Sequence, residues 1–87
     1  MKKYMITHAR QRAKERYNLN ISNKDIRTIS YMINGGIVLA ARKINQYAII
    51  YCLHYKGKTV RIVYNKNKKC VSTFLPVYDK RILNRNL

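Results

Sequence analysis

Apolar residues recur at helical spacing over the first part of the chain. At about 100° per residue, Ile6, Ala9, Ala13 and Tyr17 fall on one stripe, which predicts a first helix over about residues 8–17 with Thr7 as its N-cap. The two alanines permit close packing. His8, Arg12, Glu15 and Arg16 form a second stripe bordering the first, whereas Arg10, Gln11 and Lys14 point away. A second helix is better marked. Ser22-Asn23-Lys24-Asp25 has the form of a capping box with Asp in place of Glu or Gln, and Ile21 before the cap can staple onto Ile26. Ile26, Ile29 and Ile33 supply its buried stripe. Asn34-Gly35-Gly36 ends it, with Gly35 expected to take the left-handed capping conformation.

After Gly36 the period changes from helical to extended. Residues 37–44, 46–55, 58–64 and 70–75 read as four strands. The second, rich in Tyr, Ile and Val, is apolar on both faces and is expected to be central. Lys56-Gly57 fits a two-residue hairpin turn, which pairs Leu53 with Val60 and Tyr51 with Ile62. Cys52, His54, Thr59 and Arg61 then lie on the opposite face. Residues 65–69 form a solvated loop, and Pro76 closes the last strand. The pattern predicts an α+β domain of two N-terminal helices packed on a four-stranded antiparallel β-sheet. It covers residues 1–87 as one domain, with a folded core over 7–76 and a basic tail over 77–87.

Charge changes the picture more than hydropathy does. Nineteen Lys and Arg against Glu15, Asp25 and Asp79 give a formal net charge of +16, while 47% of residues are hydrophobic, enough for a folded domain. Solubility needs a net charge of only about 2–8 for a small domain. The excess runs through the whole sequence rather than one tail, and it points to a polyanionic partner, nucleic acid before an anionic membrane or an acidic protein. Lys14, Lys56, Lys58, Lys66, Lys68 and Lys69 are the candidate phosphate contacts. Eight tyrosines interleaved with cations offer stacking faces for bases. No segment approaches the roughly 20 apolar residues of a membrane span. Thr7-His8-Ala9-Arg10 interrupts the N-terminus before an export signal accumulates, and two cysteines are too few for a disulfide framework. The expected compartment is a bacterial or host cytoplasm.

Few enzyme classes fit. Two-metal phosphodiester cleavage needs clustered carboxylates, and only three acids exist, far apart. Cys52, His54 and Cys70 lack the paired spacing of a zinc site, and Gly35-Gly36 and Gly57 match no phosphate-cradling loop. Neither a metal nor a cofactor is expected. Metal-independent RNA cleavage remains open, because RNA supplies its own nucleophile and the protein need add only a base, an acid and cations. The His8 imidazole is the candidate acid or base, Arg12 and Arg16 share its stripe and can clamp a phosphate, Arg61 is a second clamp, and Thr73 can donate to a phosphate oxygen. The alternative for this stripe is a helix start beside a core, with its arginines solvated or paired with Glu15. If both helices cover the Leu53 and Val60 face, His8 and Arg61 meet only at a sheet edge.

The order of motifs resembles a small phage and bacterial family in the RelE-like and colicin D-like group of ribonuclease folds. The residues that carry the resemblance are His8-Ala9-x-x-Arg12-x-x-x-Arg16-Tyr17, Asp25-Ile26, Gly57-Lys58-x-x-Arg61-Ile62-Val63-Tyr64 and Val71-Ser72-Thr73-Phe74-Leu75-Pro76. The resemblance implies N-terminal helices on a twisted antiparallel sheet and metal-free cleavage of tRNA or ribosome-bound mRNA in active members. His8, Arg12 and Arg16 match its helix motif, and Arg61 and Thr73 its strand motifs. Many members of the group have diverged and lost activity, so fold transfers where catalysis need not.

Three readings follow: a RelE-like endoribonuclease held by an acidic antitoxin; a non-catalytic module that binds RNA, DNA or a host nucleoprotein complex and inhibits it; and a structural ribosome-associated protein. Charge supports all three, and only His8 with its arginines supports the first in particular.

Overall fold

The computed structural model describes residues 3–76, with side chains from Ile6 onward. The expected basic tail, 77–87, lies outside the described residues. Helix α1 spans Lys3–Tyr17. Ala9, Ala13 and Tyr17 are buried and Ile6 packs against them, as the apolar stripe predicts. The helix begins four residues before the expected Thr7 cap, so Thr7 is an interior helical residue. Ile6 explains the extension: its burial rewards a further turn, and an interior threonine costs only a few tenths of a kcal/mol. Asn18, at φ 54°, turns the chain out of α1; Asn tolerates this left-handed region better than most residues. Lys58 Nζ donates to the Tyr17 carbonyl at 2.5 Å, placing a cation at the negative end of the helix.

Helix α2 spans Asn23–Asn34 and opens on the expected capping box. The Asp25 amide donates to Ser22 Oγ at 3.2 Å, and Asp25 Oδ2 accepts the Ser22 amide at 2.8 Å. Ile21, Ile26, Ile29 and Ile33 are all buried. The left-handed cap is Gly36 (φ 75°) rather than Gly35, which keeps right-handed helical geometry at φ −86°. Two hydrogen bonds set this position: Ile37 N donates to Met32 O and Gly36 N to Ile33 O, the Schellman pattern closed one residue later than expected.

Four strands, β1 Ala40–Lys43, β2 Ala48–Tyr55, β3 Lys58–Asn65 and β4 Cys70–Phe74, form an antiparallel meander in the order β1-β2-β3-β4. The chain is thus an α+β fold with its helices N-terminal to the sheet. Strand β1 is half the expected length. The Ile37 amide is consumed by the α2 cap, and at the other end Asn45 Oδ1 accepts the amides of Tyr47 and Ala48, which fixes the turn. The β2–β3 register pairs Leu53 with Val60 and Tyr51 with Ile62, as expected. Lys56 (φ 49°) and Gly57 (φ 77°) are both left-handed, the requirement of a type I′ turn. On β4 one extra residue, Ser72, separates the Val71–Tyr64 and Thr73–Val63 pairs as a β-bulge.

One core joins the layers. Ala9, Ala13 and Tyr17 of α1, the isoleucines of α2, and Leu53, Val60, Ile62, Tyr64, Val71 and Phe74 of the sheet form a single buried cluster. Both helices therefore lie on the sheet face that carries Leu53 and Val60. Among the described residues no helix is long and apolar enough to cross a membrane.

Candidate nucleic-acid interface

Two acidic side chains lie among the described residues, and the fold uses both. Glu15 Oε1 accepts Arg12 Nη1 at 2.8 Å and Oε2 accepts Gln11 Nε2 at 3.0 Å; the Gln11 and Arg12 hydrogen bonds hold its carboxyl below the ordinary range. Asp25 accepts the Tyr55 hydroxyl at 2.5 Å, the Ser22 amide and Lys56 Nζ at 3.1 Å. Those contacts, the Tyr55 hydroxyl foremost, hold Asp25 far below the usual carboxylate range.

The expected phosphate contacts divide into two groups. Lys56 is committed to Asp25 and to the Asn20 carbonyl, Lys58 to the Tyr17 carbonyl, and Lys14 to Asn18 Oδ1 at 3.1 Å. Lys66, Lys68 and Lys69 instead project from the β3–β4 loop, all exposed, and none has a side-chain hydrogen bond or ion pair among the described residues. Their backbone is held. The Lys66 amide donates to Tyr47 O at 2.7 Å and the Lys68 amide to Asn65 Oδ1 at 2.9 Å, while Lys69 takes φ 53°.

Beside this loop runs the outer face of α2. Arg27, Ser30, Tyr31 and Asn34 occupy positions i, i+3, i+4 and i+7, one stripe of the helix. Together with Tyr64, Lys66 and Lys69 they line an open groove of about 440 Å³. Arg27 also lacks a partner among the described residues, and Tyr31 is 76% exposed. The loop lysines are among the contacts expected from the sequence; Arg27 and Tyr31 are not. The helical spacing of the stripe was a readable signal; its meeting with a loop more than thirty residues away was not.

The expected cleavage constellation is only partly assembled. Arg16 Nη1 donates to the Phe74 carbonyl at 2.6 Å, and Arg61 O accepts the Leu75 amide, so Arg16, Arg61 and Thr73 gather around the C-terminal end of β4. Tyr17 links them: its ring stands edge-on to Phe74 at 6.1 Å and its hydroxyl accepts the Arg61 amide at 3.1 Å. Burial pushes the Tyr17 hydroxyl up, so it stays protonated. Arg61 Nη1 is buried and has no hydrogen-bond partner among the described residues. His8 is exposed, two helical turns from Arg16, about 12 Å along the axis. Arg12 lies between them in its pair with Glu15. Arg61 lies on the sheet face opposite the helices, beside Cys52 and near the His54–Thr59 pair, whose Nδ1 and Oγ1 are 3.0 Å apart.

Among the described residues no three His, Cys, Asp or Glu side chains come close enough to hold a metal ion. Cys52 pairs across the sheet with Arg61 and Cys70 with Asn65, four residues further along β3, and no disulfide joins them. Comparison of the chain with protein-family profiles, with curated proteins and with solved structures returns no match.

Proposed function

We propose that this domain binds nucleic acid, RNA above all, through phosphate contacts made by cations that the fold leaves without counter-ions. One observation carries the reading: Glu15 and Asp25 are engaged internally, while among the described residues Arg27, Lys66 and Lys69, which line one groove, and Lys68 on the same loop have no side-chain partner. A cluster of like charges with no internal partner is costly to assemble in a small domain, and a polyanion offsets that cost by releasing its condensed counterions. Exposed tyrosine rings beside the cations suit the unpaired bases common in RNA. Such a module needs no catalytic group; it can occupy an RNA or a host nucleoprotein complex and inhibit it.

The test is the salt dependence of binding to a labelled single strand. Four phosphate contacts give a log–log slope of about −2.8, so affinity falls roughly 50-fold between about 50 and 200 mM NaCl. A salt-independent affinity contradicts the reading.

Metal-independent cleavage in the manner of the RelE-like group is the second reading, favoured by the buried Arg61 Nη1, which has no hydrogen-bond partner among the described residues. An endoribonuclease of that kind calls for an acidic antitoxin. Incubation with tRNA and ribosome-bound mRNA in EDTA separates the two: cyclic phosphate ends support cleavage, and intact but retarded RNA supports binding alone.

A further inference from the structure

We infer that the groove between α2 and the β3–β4 loop is a subsite for one unpaired nucleotide, its base stacked on Tyr31 and its flanking phosphates held by Arg27, Lys66 and Lys69. The inference rests on the nucleic-acid reading and narrows it to a place and a strand state. The groove, about 440 Å³, lies within the roughly 300–1,000 Å³ typical of small-molecule sites, which suits a nucleotide and not the body of a duplex.

Its chemistry is mixed in the way a nucleotide requires. Three cations without a side-chain partner among the described residues supply phosphate contacts. Tyr31 stands on the outward stripe of α2, away from Ile26, Ile29 and Ile33, and is the most exposed of the large apolar side chains described. Tyrosine is a middling helix former, and neither aromatic pair among the described residues includes this ring, so the helix itself gives no reason for it. Ser30 and Asn34 also line the groove; the Ser30 hydroxyl donates to the Ile26 carbonyl at 3.2 Å and keeps its acceptor lone pairs for a base edge, while the Asn34 side chain is hydrogen-bonded to Tyr64. The buried Tyr64 forms part of the lining, and backbone hydrogen bonds from Lys66 and Lys68 hold the loop, so the groove is formed before a ligand arrives. A second copy of this chain is a poor occupant, since both copies carry +16. An acidic peptide satisfies the cations and leaves the ring unused.

The experiment compares an oligouridylate of about eight nucleotides with a blunt RNA duplex, by fluorescence anisotropy on the whole chain. Tyr31→Ala is expected to weaken single-strand binding about ten-fold and to leave duplex binding unchanged, with Tyr31→Phe close to the parent. Lys69→Asn suits the left-handed backbone at that position, so it keeps the fold while reducing single-strand affinity and flattening the salt slope by about 0.7. Wild-type single-strand affinity in Tyr31→Ala, or an equal loss on both ligands, overturns the subsite while salt-sensitive binding leaves the broader reading standing. Polyglutamate competing as well as RNA at equal charge also overturns it. Failure of the parent to bind either nucleic acid removes both.

Discussion

Asp25 joins the start of α2 to the β2–β3 hairpin through one carboxylate. It caps α2 through Ser22, takes the Tyr55 hydroxyl from the end of β2 and pairs with Lys56 in the hairpin turn. Burial, and then the Asp25 carboxylate, push the Tyr55 hydroxyl up to about 12, while Asp25 is held down. The sign of the pH effect follows from the carboxyl. Because its folded value is depressed, its contribution is complete above the unfolded value of about 3.9 and is lost as pH falls below that toward the folded value. Tyr55→Phe removes the strongest of these contacts. It should cost about 1 kcal/mol at pH 7, lowering Tm by about 4–8 °C, with the gap to wild type narrowing at pH 3 and below. Equal Tm values at pH 7 would exclude the network as a source of stability. Asp25 was legible as a cap from its spacing to Ser22; its meeting with Tyr55 and Lys56, thirty residues on, was not.

At the scale of elements, each helix end and turn depends on a few residues with left-handed backbone. Gly36 is the clearest case. A Cβ placed there meets nothing within 4 Å, so substitution tests conformation alone, without a steric clash. Gly36→Ala should destabilise by about 1–2 kcal/mol, read as a lower Tm or denaturant midpoint with an unchanged m-value. An unchanged midpoint would mean that the α2 cap does not depend on this geometry. The two edges of the sheet differ. Strand β4 lies along α1, with Arg16 on the Phe74 carbonyl. Strand β1 is short, fully exposed and carries Arg42 and Lys43, which discourages pairing with another edge.

For the molecule as a whole, the charge that suits a polyanion also strains the folded state. With a formal +16 on 87 residues, self-repulsion lowers stability at low ionic strength. Tm should therefore rise as NaCl increases from about 10 to 150 mM, and rise further with RNA at constant salt through preferential binding to the folded form. A Tm that is flat or falls with NaCl would show that the cations are already compensated.

The amino-acid sequence by itself determined the two apolar helix stripes, the Ser22–Asp25 box, the Lys56-Gly57 turn and the register it imposes on β2 and β3. Each of these is settled by residues within about ten positions of one another, where periodicity and turn chemistry act directly. Tertiary structure decided the rest. Ile6 found a core and lengthened α1, the Ile37 amide went to the α2 cap and shortened β1, and Lys56 and Lys58 were drawn into contacts within the fold. It also placed Arg27 and Tyr31 beside Lys66 and Lys69. Local pattern defines which face of each element is apolar; how the helices lie across the sheet, and so which polar faces adjoin, follows from packing side chains from distant parts of the chain into one volume.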